Sequence, residues 1–164
     1  MNLIVNISLN HCIGKDGKLA VRIPEDLARF KKLTTGNIIV MGANTFFGDL
    51  KGKPLPNRIN VVLTSKAATL DYKFEFPTNL YFVDHPRKLI DTLLPQIKEN
   101  KEVFIIGGAS VYKTFSSCVT TMYVTHTNSI IIEGDTYFNV NWSEWEVERI
   151  ESTDKCTFAK YVRR

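Results

Sequence analysis

The stretch VFIIGGASVY, residues 103–112, joins a run of apolar residues to a pair of glycines and then to a helical pattern from Ser110. The apolar run is continuous rather than alternating, which is typical of a strand covered on both faces, as in a mostly parallel sheet. Gly107 and Gly108 would let the backbone approach a phosphate closely. They do not form GxGxxG, so a Rossmann-type site is not predicted. The stretch predicts a buried parallel strand that ends at a ligand.

Other segments with similar patterns supply the rest of the sheet and its helices. Short apolar runs rich in Ile, Val and Phe recur at 2–9, 37–41, 59–64, 79–83 and 121–127. Helical patterns lie at 24–34 and 86–98, with shorter ones after Gly42 and Gly108. The tail, from Trp142 to Val162, alternates as a closing hairpin does. We predict an α/β fold in one domain, residues 1–164: a twisted, mostly parallel sheet with an antiparallel C-terminal edge hairpin and flanking helices.

The composition excludes several classes of protein. With 164 residues, 44% hydrophobic, and 21 Lys+Arg against 17 Asp+Glu, the chain is neither disordered, collagenous nor a coiled coil. No basic block suggests nucleic-acid binding, although the net charge of +4 is compatible with an anionic ligand. No apolar run approaches the roughly 20 residues of a membrane helix, and the first residues do not resemble a secretory signal. Three cysteines without a CxxC pair predict reduced thiols and a cytoplasmic location.

Three predicted strands end in residues suited to a ligand. The run at 37–41 leads through Gly42 to Asn44 and Thr45, the run at 59–64 leads to Ser65 and Lys66, and the third is the glycine pair. Ligands of open α/β sheets bind beyond the carboxyl ends of the strands. A single glycine after a strand is more often a tight turn, but three such ends together favour a phosphate-bearing cofactor.

Asp26 lies inside the apolar stripe of the predicted helix at 24–34. With about 100° per residue, placing Asp26 at 0° puts Phe30 at about 40° and Leu33 at about −20°. One interpretation is an acid of the first helical turn, stabilised by the helix dipole. The other is a carboxylate whose pKa is raised by an apolar pocket towards proton transfer. The sequence leaves both open.

Other catalytic patterns are absent from the sequence. His11, His85 and His126 show no metal-ligand spacing, so no metal site is predicted, and there is no GxSxG motif. Cys12 has no local sign of activation. Arg58, on the proline-stiffened loop PLPNR, is either a clamp for a carboxylate or a solvated loop residue.

Seven segments in order along nearly the whole chain resemble the dihydrofolate reductase family. They are Ile13-Gly14, IPEDLARF (23–30), VMGANT (40–45), PLPNR (54–58), IIGGASVY (105–112), Thr125-His126 and EGDTYF (133–138). The resemblance implies reduction of 7,8-dihydrofolate to tetrahydrofolate, with hydride transfer from NADPH to C6 and protonation at N5, in support of one-carbon and thymidylate metabolism. It also implies sensitivity to antifolates. A monomer that binds neither nucleic acid nor membranes is expected.

The resemblance assigns the substrate site residue by residue. Asp26 matches the carboxylate that holds the pterin and promotes protonation, Thr125 matches its hydrogen-bonding partner, and Arg58 matches the clamp on the glutamate carboxylate of the substrate. The matches to the walls of the pterin pocket are Ile4, Val5, Leu27, Phe30, Leu50 and Ile106.

The resemblance assigns the cofactor site in the same way. Gly107 and Gly108 match a pair joined by a cis peptide beside the nicotinamide and pyrophosphate. The lid over the nicotinamide is matched by Asn6, Ile13, Gly14 and the loop to Leu19, and Asp135 matches a residue that steadies it. The other expected cofactor contacts are Asn44, Thr45, Thr64, Ser65, Lys66, Ala109, Ser110, Val111 and Tyr112.

Four departures from the family pattern carry expectations of their own. Val21 stands where a tryptophan is usual, which implies altered lid kinetics or weaker pterin binding. Ala43 stands where an arginine often grips the 2′-phosphate of NADPH, which leaves Ser65 and Lys66 as candidates and implies reduced discrimination against NADH. Ala109 replaces a frequent glycine. A one-residue insertion near 46–51 makes the match of Leu50 approximate.

Two alternatives stay open at this point. A sister class with this fold reduces ribosylaminopyrimidines, although the context of Asp26 and the PLPNR loop favour a folate. The other alternative is a non-catalytic pterin- or nucleotide-binding module in which Val21 and Ala43 reflect lost turnover. The presence together of Asp26, Thr125 and the glycine pair argues against this second alternative.

Overall fold

Eight of the strands form one mixed sheet. The computed structural model describes residues 1–70, 79–131 and 133–164. Its strands are β1 (Asn2–Ile7), β2 (Cys12–Lys15), β3 (Lys18–Leu19), β4 (Ile38–Gly42), β5 (Ile59–Leu63), β6 (Leu80–Val83), β7 (Val103–Gly107), β8 (Thr121–Thr127), β9 (Thr136–Tyr137), β10 (Trp145–Ser152) and β11 (Cys156–Arg163). The large sheet has the order β10-β11-β8-β1-β7-β4-β5-β6. Pairing is parallel from β8 to β6, while β11 is antiparallel to both β8 and β10. The predicted fold class is confirmed.

The central strands are buried on both faces of this sheet. On β1, Leu3 and Val5 belong to one hydrophobic cluster and Ile4 to another; on β7, Ile105 belongs to the first and Phe104 to the second. Successive side chains of a strand point to opposite faces, so the two clusters cover the two sides of the sheet. This double burial explains why the sequence shows continuous apolar runs instead of alternation.

A second sheet of three short strands was not predicted. Its order is β3-β2-β9, and it holds the segment after β1 against the chain near Thr136. A Cβ atom on Gly14 would stand 3.2 Å from Cβ of Thr136, so the two backbones lie close together there. These strands have four residues or fewer, which is too short for a periodic signal.

The helices flank the large sheet. They are α1 (Pro24–Thr34), α2 (Ala67–Leu70), α3 (Pro86–Lys88), α4 (Leu94–Ile97) and α5 (Ala109–Phe115), with π-helical segments at Thr45–Asp49 and Leu89–Leu93 and 3₁₀ turns at Ser116–Cys118 and Trp142–Glu144. The helix α1 begins with proline in its first turn and ends before Gly36, which has a φ of 81°. Among the described residues, no helix is long and apolar enough to cross a membrane.

The single helix predicted at 86–98 was wrong in detail. The structure has α3, the π-helical segment Leu89–Leu93 and α4 in succession, and the backbone N–H of Leu94 donates to the carbonyl of Leu89, five residues earlier. Pro95 has no N–H to donate to the carbonyl of Asp91, and its ring crowds that carbonyl. The wider turn accommodates the proline.

Candidate active site

Two adjoining cavities open beyond the carboxyl ends of the central strands. The first, which we call the glycine cavity, has a volume of about 490 Å³ and includes Gly107 and Gly108. The second, the aspartate cavity, has a volume of about 340 Å³ and includes Asp26. The residues that line both are Val5, Asn6, Leu19, Thr45, Asp49, Ile106 and Tyr112. This shared wall would let two ligands bind side by side.

Asp26 enters the aspartate cavity from the first turn of α1. The hydroxyl of Thr125 on β8 donates to Oδ1 of Asp26 at 2.5 Å, and the amide Nδ2 of Asn6 on β1 donates to Oδ2 at 3.3 Å. Burial raises the pKa of Asp26 above its ordinary value, while the two hydrogen bonds and the charge of Arg29 oppose this shift. Of the two interpretations left open by the sequence, the pKa direction favours the carboxylate in an apolar pocket.

The predicted pocket walls converge on the aspartate cavity. Ile4, Val5, Leu27, Phe30, Leu50 and Ile106 all line it. Thr125 is not part of the lining and reaches the cavity only through Asp26. Sequence reasoning missed Arg22, Lys31, Asp49 and Leu55, which also line this cavity.

Arg58 lies at the edge of the aspartate cavity and is held by its neighbours. Its Nε donates to the carbonyl of Pro56 at 2.9 Å, and its Nη1 donates to the hydroxyl of Thr34 on α1 at 3.2 Å. The residue is only 7% exposed, and burial lowers the pKa of its guanidinium. The structure thus disagrees with the interpretation of Arg58 as a solvated loop residue.

The glycine cavity is formed where backbone segments approach closely. The peptide between Gly107 and Gly108 is cis, and Gly107 has a φ of 121°, which favours glycine. A Cβ atom on Gly107 would stand 3.1 Å from the hydroxyl of Tyr112, and one on Gly42 would stand 3.0 Å from Cγ2 of Val111. A side chain at either glycine would therefore crowd Tyr112 or Val111, two residues of the cavity wall.

Most of the residues predicted for a cofactor line the glycine cavity. They are Asn6, Ile13, Gly14, Leu19, Asn44, Thr45, Gly107, Gly108, Ala109, Ser110, Val111 and Tyr112. Thr64, Ser65 and Lys66 do not line it; the wall reaches Leu63, the last residue of β5, just before them. Sequence reasoning missed Leu63, Thr114 and Thr136 as lining residues, none of which belongs to a recognisable phosphate-binding pattern.

The segment of residues 13–22, which we call the lid segment, covers the boundary between the cavities. The carboxylate of Asp135 accepts a hydrogen bond from the backbone N–H of Asp16 at 2.9 Å. Asp49 accepts from the backbone N–H of Leu19 at 3.3 Å and from Nη2 of Arg22 at 3.0 Å. The lid segment is therefore anchored on both sides, and Asp49 is an anchor that no sequence pattern indicated.

Comparison with known proteins agrees with this geometry. The family model described as dihydrofolate reductase matches residues 1–163. The chain belongs to the dihydrofolate reductase family. It is 37% identical over 153 residues to a dihydrofolate reductase of Staphylococcus aureus, with coverage of 90% of this chain and 83% of the relative. It is 34% identical over 156 residues to that of Bacillus subtilis, with coverage of 94% and 85%.

A solved structure gives the same result. The dihydrofolate reductase from Enterococcus faecalis complexed with NADP(H) and RAB-propyl superposes with a TM-score of 0.82 at 28% identity, covering 99% of this chain and 95% of that chain. The predicted family, the enzyme class of an NADPH-dependent dihydrofolate reductase, the cofactor NADPH and the folate substrate are confirmed.

Of the departures from the pattern of dihydrofolate reductases, Ala43 and Ala109 line the glycine cavity and Leu50 lines the aspartate cavity, whereas Val21 lines neither. Val21 belongs to the lid segment, and its carbonyl accepts a hydrogen bond from Nδ2 of Asn6 at 3.4 Å. Ala43 lines the glycine cavity between Gly42 and Asn44. Their effects on lid kinetics and on the choice between NADPH and NADH stay predictions.

Within the ranges that the structure describes, no group of three or more His, Cys, Asp or Glu side chains is arranged to hold a metal ion. The three cysteines of the reductase are free thiols, with Cys12 and Cys156 buried and Cys118 exposed.

Proposed function

We propose that the chain reduces 7,8-dihydrofolate by binding the pterin in the aspartate cavity and NADPH in the glycine cavity, with Asp26 as its catalytic residue. The observation that carries this proposal is the half-buried carboxylate of Asp26, whose pKa is raised by burial, in a cavity that shares lining residues with a second cavity. Because the two cavities adjoin, two flat rings bound in them can meet face to face where the cavities join, which removes much of the entropic barrier to transfer between them.

The residues of the glycine cavity fit a dinucleotide cofactor. Gly42 and Gly107 let the backbone lie close against the wall residues Val111 and Tyr112, and the hydroxyl of Thr45 lies 3.8 Å from where a Cβ on Gly108 would stand. We infer that Gly107, Gly108 and Thr45 hold the pyrophosphate, with Ile13, Gly14 and Leu19 covering the nicotinamide. When bound, NADPH supplies the hydride that reduces C6 of the substrate.

Asp26 both orients the pterin and supports its protonation. An ionised carboxylate offers two acceptor oxygens to the pterin N3–H and 2-amino groups, and its negative charge favours the form of the substrate that is protonated at N5. Thr125 holds the carboxylate in place through Oδ1. The raised pKa brings Asp26 closer to the pH at which it can exchange a proton.

The remaining walls bind the substrate and exclude water. Ile4, Val5, Leu27, Phe30, Leu50 and Ile106 supply apolar surface to the pterin, which strengthens the electrostatic effect of Asp26. Arg58, already oriented by Pro56 and Thr34, clamps the glutamate α-carboxylate of the substrate. Closure of the lid segment completes the exclusion of water.

We further propose that the protein works as a monomer of one domain, residues 1–164, in the cytoplasm, in support of one-carbon and thymidylate metabolism. The three free thiols, one of them exposed, support a reducing compartment.

The experiment that tests the proposed function follows NADPH oxidation by its absorbance in the presence of dihydrofolate. We expect turnover that requires both ligands, is blocked by methotrexate, and falls by about 10²–10⁴-fold in Asp26→Asn. Asp84→Asn is the matched control, since Asp84 is a surface carboxylate paired with Lys88 outside both cavities. Binding of methotrexate and NADPH without turnover would instead indicate a non-catalytic binding module.

A further inference from the structure

The side chain of Asn6 connects the lid segment to the catalytic carboxylate. Asn6 lies on β1 and lines both cavities. Its Nδ2 is 3.4 Å from the carbonyl oxygen of Val21 in the lid segment and 3.3 Å from Oδ2 of Asp26. Its Oδ1 accepts a hydrogen bond from the hydroxyl of Thr127 at 2.6 Å. One amide thus has three partners on three different segments of the chain.

The hydrogen-bond network determines which way the amide faces. A carbonyl oxygen and a carboxylate oxygen are both acceptors, so they require the NH₂ group of Asn6, which has two hydrogens to donate. The reversed amide would place Oδ1 of Asn6 against both acceptors. Thr127 is 4% exposed, and its hydroxyl supplies the donor that the amide oxygen needs. Thr127 therefore fixes the orientation of Asn6.

We propose that Asn6 is a positioning residue, oriented by Thr127, that couples closure of the lid segment to ionisation of Asp26. This inference rests on the proposed function, because it assigns to Asn6 a role in the site that contains Asp26. It concerns the side chain of Asn6 and not the cofactor contact expected at this position from the family resemblance.

The coupling follows from a single NH₂ group that serves two acceptors. Ionisation makes Oδ2 of Asp26 a stronger acceptor and holds the amide where it also reaches the carbonyl of Val21. Closure of the lid segment brings the carbonyl of Val21 to the amide. By linkage, closure favours the ionised carboxylate by the same free energy as ionisation favours closure. Both distances are long for hydrogen bonds, as expected for one amide group shared between two acceptors.

Thr125 provides the contrast within the same site. It donates to the other oxygen of Asp26, Oδ1, from the buried strand β8, and its side-chain hydrogen bond involves no residue of the lid segment. Thr125 therefore affects the carboxylate alone, whereas Asn6 affects both the carboxylate and the lid.

Substitution of Asn6 or Thr127 removes none of the other charged or titratable groups near Asp26. They come from α1, the lid segment, the π-helical segment Thr45–Asp49, the PLPNR loop, α5 and β11: Arg29, Lys31, Arg22, Asp49, Arg58, Tyr112 and Cys156. A change in titration that follows substitution of an uncharged amide or hydroxyl thus reports the lost hydrogen bond.

The test uses three variants of the full chain and two readouts. The pKa of the Asp26 carboxyl is followed by ¹³C NMR in the free enzyme, and the dissociation rate of NADPH is followed by stopped-flow competition. In Asn6→Ala we expect the pKa of Asp26 to rise by about 0.5 to 1 pH unit and NADPH to dissociate about 3- to 10-fold faster. Thr127→Val should shift both readouts in the same direction by a smaller amount, because the amide loses its orienting donor.

Thr127→Ser distinguishes positioning from packing. It keeps the hydroxyl and removes a methyl group, so we expect both readouts to return to the wild-type values. Equal disturbance by Thr127→Ser and Thr127→Val would overturn the proposal, as would an Asn6→Ala variant with the wild-type pKa at Asp26 and the wild-type dissociation rate. If Asn6→Ala does not fold, the comparison of Thr127→Val with Thr127→Ser tests the proposal. Failure of the proposed function has a different signature, since the wild-type chain would then not oxidise NADPH with dihydrofolate.

Discussion

The hydroxyl of Thr125 donates a hydrogen bond of 2.5 Å to the carboxylate of Asp26, although the two residues are 99 positions apart in the sequence. Thr125 lies on β8 and is 1% exposed, while Asp26 lies in the first turn of α1. A donor fixed in a buried strand cannot follow the carboxylate if α1 moves. The contact therefore sets the position of the carboxylate relative to the sheet as well as its titration.

Removal of this donor should change the pH dependence of turnover. A hydrogen bond to the ionised carboxylate lowers the pKa of Asp26, so in Thr125→Val the pKa of Asp26 should rise further above its ordinary value. The reaction consumes a proton, and the rate falls as pH rises. Because the ionised carboxylate is the form that favours protonation at N5, the acid limb of the kcat profile, on which Asp26 ionises, should move to higher pH.

Measurement of kcat from pH 5 to 9 tests this expectation. Thr125→Ser keeps the donor and should keep the wild-type profile. A Thr125→Val profile that coincides with the wild type would contradict the role of Thr125 as the partner of the catalytic carboxylate.

Arg58 should control the affinity for the substrate tail and leave the chemical step unchanged. A lysine at this position retains the charge but cannot form the planar, two-pronged contact with a carboxylate. In Arg58→Lys we expect KM for dihydrofolate to rise about 10- to 100-fold with kcat little changed. A dihydropterin without the glutamate tail should show the same KM for both enzymes. A rise in KM for both substrates alike would mean that Arg58 shapes the pocket instead of clamping the tail.

The parts of this structure that sequence reasoning found are those with a local signal. Continuous apolar runs identified the buried strands, and Asp26 stood out as a carboxylate in an apolar stripe. Contacts between distant, ordinary-looking residues left no such signal. The carboxylate of Asp49 meets the lid segment 30 positions away, and Asn6 meets Asp26 20 positions away. Only the fold brings these pairs together, so neither could be predicted from spacing.

The same reasoning explains the error at 86–98. The apolar pattern of that segment fits a regular helix, but Pro95 removes one backbone donor, and the chain responds with a wider turn over Leu89–Leu93. Periodicity reports which face is buried, and it is insensitive to a local change from α to π winding.

The choice between NADPH and NADH should depend on positive charge near Ala43. Ala43 lines the glycine cavity, where an arginine side chain could reach the 2′-phosphate of the cofactor. In Ala43→Arg we expect the ratio of kcat/KM for NADPH to that for NADH to rise about tenfold. In Lys66→Ala we expect this ratio to fall. The effects should weaken at high ionic strength, since they are electrostatic.

Lys98→Ala is the control for this measurement, because Lys98 lines a separate cavity with Met1 and Thr120. It should leave the ratio unchanged. The assignment of Lys66 to the 2′-phosphate would be contradicted if the wild-type enzyme has the same kcat/KM for NADPH and NADH and Lys66→Ala does not change this ratio.

Tyr112 lines both cavities and should stabilise the folded protein. Its hydroxyl lies 2.8 Å from the carbonyl oxygen of Ile4 on β1 and 2.9 Å from that of Ile106 on β7, and burial raises its pKa. Tyr112→Phe removes this bridge inside the protein and should lower the free energy of unfolding by about 1 to 2 kcal/mol, measured by urea denaturation.

Tyr137→Phe is the matched control for Tyr112. The hydroxyl of Tyr137 also donates to a carbonyl, that of Gly134 at 3.1 Å, but the pair is exposed to solvent. Water can replace an exposed hydrogen bond, so its loss should change the free energy of unfolding by less than about 0.5 kcal/mol. If Tyr112→Phe and Tyr137→Phe lower the free energy of unfolding equally, burial of the Tyr112 hydroxyl adds nothing to the stability of the fold.

His126 should make the fold less stable in mild acid. Its ring lies against the rings of Trp142 and Tyr161, with Nε2 2.8 Å from the hydroxyl of Tyr161. Burial lowers the pKa of the imidazole below its ordinary value of 6.5, and the charge of His11 acts in the same direction. The unfolded chain therefore binds a proton at a higher pH than the folded chain does. The contribution of neutral His126 to the free energy of unfolding is fully present above about pH 6.5. This contribution is lost as the pH falls from 6.5 towards the pKa of His126 in the folded protein.

Urea denaturation at pH 7.5 and at pH 5 measures this loss. His126→Gln keeps a polar side chain but does not titrate, so we expect it to lose less stability than the wild type between the two pH values. Asp26 titrates in both proteins, and its contribution cancels in the comparison. Tyr161→Phe removes the hydroxyl partner but leaves a titrating imidazole in place, so the variant should still lose more stability than His126→Gln between the two pH values. If His126→Gln and the wild type lose stability equally, protonation of His126 is not what weakens the fold in acid, because no other group distinguishes the two proteins.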